Sequence, residues 1–147
     1  MEQERAEAFW RWSLASYPKV ERSLLDLQER FGADVNLVLF CAWIGRLTPE
    51  ALENAEAVVR PWREGVVEPL RRLRRQLKER PEAADLRDRV KAAELEAERL
   101  AQRLLVEAVP AACGSADALA LYLDFLRVPE AERRALDGWV NGPKSIL

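Results

Sequence analysis

Apolar side chains in this chain recur at intervals of three and four residues and never alternate with β-branched residues over any length. That spacing predicts helices and no sheet. Phe9, Trp10, Ser13, Leu14 and Tyr17 form the inward face of a first helix, about Glu4 to Ser16. Pro18 is expected to end it, because the residue before a proline is pushed out of the α region. Val20, Leu24, Leu27 and Phe31 form one stripe of a second helix that Gly32 closes.

Asp34 then reads as an N-cap for Val35 to Gly45, a stretch apolar nearly all round and therefore buried on most sides. It is the expected centre of the fold, with Leu37, Leu39, Phe40, Trp43 and Ile44 in the core. Asn36, the polar exception, is expected to bond backbone near the helix start or a neighbouring loop. Thr48-Pro49 is an N-cap followed by proline at the first helical position. The helix it starts carries Leu52, Val59, Trp62, Val66, Leu70, Leu73 and Leu77. Pro61 and Pro69 interrupt it, and a kink is predicted near Gly65, four residues before Pro69.

After a turn at Arg80-Pro81-Glu82, a long helix runs from about Ala84 to Val109. Leu86, Val90, Ala93, Ala97, Leu100 and Leu104 make a heptad seam on it. Folding back at Pro81 sets Leu77 near Leu86, Leu73 near Val90, Val66 near Ala97 and Val59 near Leu104, an antiparallel helical hairpin. Pro110 ends the long helix. Ser115 is the expected cap of the next, with Leu119, Tyr122, Leu123 and Leu126 inward, and Pro129 opens a short last helix through Trp139. Asn141-Gly142-Pro143 breaks that helix and leaves frayed final residues. The expectation is a single all-α domain over residues 1–147, a six- to seven-helix bundle with one long hairpin.

The aromatic run Phe9-Trp10-Arg11-Trp12-Ser13-Leu14 with Tyr17, and the run Phe31-Gly32-Ala33-Asp34-Val35-Asn36-Leu37-Val38-Leu39-Phe40-Cys41-Ala42-Trp43, resemble an uncharacterised family of small bacterial proteins, a domain of unknown function. Trp62 and the stretch from Pro69 to Arg75 share in the resemblance. It implies a bacterial cytoplasmic protein and brings no activity, cofactor or site residue.

Composition narrows the chemistry. The chain has no histidine, which removes the commonest general base and metal ligand. Cys41 and Cys113 cannot form a four-ligand zinc site by themselves. Cys41 lies in an apolar run, where a thiol is inert, and a reducing compartment fits both cysteines. Gly138 to Ser145 only faintly resembles a phosphate loop, because Pro143 stands where the second glycine belongs. No cofactor or metal is expected. Glu94 and Glu98, one helical turn apart, read as a solvated pair more readily than as a catalytic one. The polar, acidic start lacks the pattern of a secretory signal, and no apolar run spans a bilayer, so the expected location is cytoplasmic, with no membrane partner.

Charge provides the one candidate surface. The net charge is −2, yet the segment from Arg60 to Lys91 holds eleven basic and six acidic residues. Arg71, Arg72, Arg74, Arg75, Lys78 and Arg80 lead it. One reading is a solvated face balanced by Glu94, Glu96 and Glu98, with a local Glu68–Arg72 pair. Another is contact with a protein partner, homodimerisation included, and a third is nucleic-acid backbone. Arg11 and Trp12 join the candidates: Trp12 lies about 200° round the helix from Trp10, taken as core, so it is either exposed or covered by the C-terminal helices. The expected function is a non-enzymatic interaction, adaptor or regulatory protein, with a nucleic-acid-binding accessory as the alternative and an enzyme without histidine chemistry third.

Overall fold

The computed structural model describes residues 2–140. Helix α1 spans Glu2–Phe31, α2 Val35–Ile44, α3 Pro49–Trp62, α4 Glu68–Leu77, α5 Ala84–Ala108 and α6 Ala118–Phe125. The described residues contain no strand, only an isolated bridge between Arg46 and Asp117. The protein is all-α, with bundle-like packing.

Helix α2 is the centre. Leu37, Val38, Leu39, Phe40, Cys41 and Trp43 are all buried, and Ile44 packs against them. Asp34 caps it as expected, accepting from the amides of Asn36 and Leu37 at 2.9 and 3.3 Å. The Tyr122 hydroxyl accepts from the Asp34 amide at 2.9 Å, which pins α6 to the start of α2. Phe9 of α1 packs against Phe40 and Trp43, with ring centroids 5.6 and 5.0 Å away, within the range of favourable aromatic pairs.

One expectation fails at Pro18, which lies inside α1 without ending it. Ser13, Ser16, Val20, Leu24 and Leu27 continue a single buried stripe across it, and Pro18 itself is exposed. Packing on both sides of the proline outweighs its local cost of about 3 kcal/mol. The inward face also differs from the expected one: Leu14 is exposed, and Trp10 is half-buried outside the core.

The kink near Gly65 is present as a turn of π-helix over Arg63–Val67. The Glu68 amide bonds the Arg63 carbonyl, five residues back, which widens the helix where Pro69 has no N–H for the Gly65 carbonyl. The hairpin forms too. Trp62 Nε1 donates to the Ala97 carbonyl at 2.8 Å, where a small residue lets the helices approach closely.

Burial fades along that hairpin. Val59 is fully buried and Trp62 half-buried, but α4 has no buried residue, and Leu73 and Leu86 of the expected seam are exposed. Helices α4 and the first half of α5 form a two-helix arm. On α5 the buried stripe is Val90, Glu94, Ala97, Ala101 and Leu105 rather than the predicted Val90, Ala93, Ala97, Leu100 and Leu104. A 3.6-residue helix drifts from a strict heptad, and α5 turns from α4 toward α1, α2 and α3 as it enters the body.

Asp117, not Ser115, caps α6, accepting from the Ala120 amide. After Pro129 come three short helical turns, Glu130–Arg133, Arg134–Leu136 and Asp137–Val140, in place of one helix. The expected break at Asn141-Gly142-Pro143 and most of the phosphate-loop-like tail lie outside the described residues.

Candidate functional site

The arm separates the candidate arginines into two groups. Arg71 and Arg74 turn toward α5, where Arg74 hydrogen-bonds both carboxylate oxygens of Glu94. Arg71 lies 3.7 Å from both Glu94 and Glu98. Hydrogen bonding to Glu94 leads the effects that push the Arg74 pKa up and hold its charge. Arg72, Arg75, Lys78 and Arg80 are exposed and make no ion pair among the described residues. Glu94 and Glu98 therefore balance Arg71 and Arg74, while Glu96 and the Glu68–Arg72 pair do not appear among the ion pairs. The reading of Glu94 as a solvated carboxylate is wrong, because it is buried under Arg74.

Trp12 is covered. Its ring lies 6.4 Å from Phe9 and 5.9 Å from Trp139, so the C-terminal turns close over it. Arg11 is exposed. Trp10 takes the more open place, with the Arg99 guanidinium 5.6 Å from its ring centroid.

Between the arm and α1 runs a groove of about 610 Å³. It is bordered on α1 from Trp10 to Gln28, about 27 Å of helix axis at 1.5 Å per residue. Three exposed leucines, Leu14, Leu25 and Leu95, lie on it beside Trp10 and Tyr17. Arg71, Arg75 and Lys91 bring positive charge, and Glu94, Glu98 and Gln102 form an acidic-to-amide ladder at four-residue spacing on α5. At the inner end Arg63 ties the elements together, donating to Asp34 at 3.0 Å and to Glu56 at 2.7 and 3.0 Å. Burial opposes its charge, but those hydrogen bonds prevail and push its pKa up.

One buried atom on this groove has no hydrogen-bond partner among the described residues. Gln102 Nε2 donates to Ser13 and Asn36 at 3.0 and 3.1 Å, yet Gln102 Oε1 is buried without a hydrogen bond. Asn36 thus reaches across to α5 instead of bonding its own helix start. Among the described residues the Arg71 guanidinium makes only the 3.7 Å ionic contacts, beyond hydrogen-bond range. Burial, then the neighbouring Glu94, raise the Glu98 carboxyl to about 7, with Arg71 opposing them. Burial also pushes the Tyr17 hydroxyl up, with Glu21 and Glu98 adding to it.

Sequence reasoning did not foresee Leu25, Leu95 and Gln102 as site residues. The only signal was the four-residue spacing of Glu94, Glu98 and Gln102. Cys41 is buried in the core, where burial pushes its thiol up; it and Cys113 are both free. No cluster of three or more metal-ligating side chains occurs among the described residues, and no helix there is long and apolar enough to cross a membrane.

Fold and groove together define a small all-helical domain with a charged two-helix arm over an amphipathic cleft. The chain belongs to the family described as Protein of unknown function (DUF2390), whose model matches residues 8–105. That match runs from the first turns of α1 to near the end of α5, so it takes in the arm and every residue that lines the groove. No curated protein and no solved structure matches the chain significantly.

Proposed function

We propose that this is a non-enzymatic interaction protein, of adaptor or regulatory type, that meets an acidic protein partner through the outer face of its arm in the bacterial cytoplasm. One observation carries the reading. Arg72, Arg75, Lys78 and Arg80 stand exposed and without ion pairs among the described residues, on an arm that also exposes Leu73 and Leu86. Apolar side chains among arginines suit a protein interface, where arginine is enriched and supplies much of the binding energy. Homodimerisation is one form of this reading, since the chain outside the hairpin carries the acidic excess. Arg11 is a peripheral candidate; Trp12 drops out, because its ring is already packed.

The same face favours nucleic acid as the second reading, through the four free cations. The test is capture from native lysate by the tagged chain and by an Arg72→Glu, Arg75→Glu variant, each with and without nuclease. Arg71 and Arg74 are left intact because they hold the arm together. A defined protein that survives nuclease and is lost from the variant is the expected result. Capture lost on nuclease treatment, and falling log-linearly with salt, would transfer the face to the nucleic-acid reading. Capture unchanged in the variant contradicts both.

A further inference from the structure

The groove beneath the arm meets the arm's outer face at Arg75 and otherwise shares none of its exposed cations Arg72, Lys78 and Arg80. Its volume, about 610 Å³, lies within the range of roughly 300–1,000 Å³ typical of small-molecule sites. Its leucines are open: Leu14 is 54% and Leu95 51% exposed. Next to them Arg71 presents a guanidinium that forms no hydrogen bond among the described residues and sits 3.7 Å from two carboxylates.

We infer that this groove is a binding site for a small monocarboxylic acid with an apolar body, its carboxylate on Arg71 and its body along Leu14, Leu25, Leu95 and Trp10. The planar, forked guanidinium matches a carboxylate in bidentate fashion. A single negative charge suits the site better than a phosphate dianion, because Glu94 and Glu98 flank the same arginine. Beside Arg71 itself an amine finds no open counter-ion, because Arg74 already occupies Glu94 and burial holds Glu98 toward its neutral form. Glu68, elsewhere on the lining, is the one carboxylate there without an ion pair among the described residues, and the cationic probe below tests it.

Binding is coupled to a proton. Glu98 faces Glu94 on its own helix, Arg71 and Arg74 on α4, Asp34 at the start of α2, and Tyr17 on α1. A ligand anion on Arg71 draws off the cation nearest to Glu98 and adds a negative neighbour, so an ionised Glu98 takes up a proton and becomes a donor to the ligand. Above about 7, where Glu98 is ionised in the free chain, binding takes up as much as one proton per ligand, and affinity falls by up to about tenfold per pH unit.

The test is calorimetric titration of the full chain with decanoate, with decanol and decyltrimethylammonium as neutral and cationic probes of equal chain length. Saturable decanoate binding is expected near pH 6, with both controls at least about tenfold weaker, the usual scale of a charge-assisted contact. Arg71→Gln should weaken decanoate by about tenfold or more. Should that variant disturb the arm, Leu95→Asp, at an exposed position on the wall, should weaken it as well. Glu98→Gln should bind more tightly than the parent near pH 8 and lose the pH dependence. Equal binding of decanol and decanoate, absence of saturable binding, or unchanged affinity in both weakening variants overturns the proposal.

Discussion

At Glu98, burial and Glu94 raise the carboxyl pKa while Arg71 lowers it, and the first two win, moving it from 4.5 to about 7. Between those values the folded chain holds a proton that the unfolded chain releases. Stability is therefore fully present below about pH 4.5 and declines as pH rises through about 7. Its side chain is 30% exposed, so solvent screening discounts the penalty. Glu98→Gln should stabilise the fold by about 1–2 kcal/mol near pH 8 and change little near pH 4, as urea unfolding would measure. Arg127 offers a second case. Its φ of 60° places it in the left-handed region just past the end of α6, where a side chain costs about 1–2 kcal/mol. Arg127→Gly should raise stability by about 0.5–1 kcal/mol, less than the full relief because glycine also gains freedom in the unfolded chain. The thiols give a third. A thiol reagent on the native protein should modify half-buried Cys113 well before buried Cys41; equal rates would refute the packing around α2.

Among the elements, α1 shows where local rules yield to packing. Pro18 costs the helix a hydrogen bond, and the chain stays helical because Ser16 and Val20 on either side are buried against the same body. Pro18→Ala should therefore stabilise by about 2 kcal/mol in thermal or urea unfolding, since the native helix is already in place and the proline is exposed. A loss of stability would mean that Pro18 sets a bend the packing needs. The caps at Asp34 and Thr48 and the disturbance before Pro69 were readable because each depends on residues within four positions. Leu73 and Leu86 were expected within the hairpin seam and are exposed. Periodicity reports which way a residue faces in its helix and not whether a third layer covers it. The groove was harder still to read. Glu94 is satisfied by Arg74, 20 positions away, and the Gln102 amide nitrogen by Ser13, 89 positions away. No local pattern announces a buried polar group whose partner lies so distant in the chain.

At the scale of the whole molecule, the described residues form a body and an arm. The body closes around α2, where Phe9, Leu37, Phe40, Leu105 and Tyr122 are almost fully buried. The arm has a buried residue only on its α5 side, and it keeps its form through Arg74–Glu94, Arg71 and the Trp62–Ala97 bond. Its outer cations and the groove it roofs are thus supported by an element that contributes little to the global core. Helices with few buried apolar contacts open by local fluctuation at lower free energy than a core helix. Native-state hydrogen exchange resolved by residue tests this division most directly. The amides of α2 should exchange only through global unfolding, while those of α4 exchange through a local opening several kcal/mol cheaper. Protection of α4 equal to that of α2 would contradict the account.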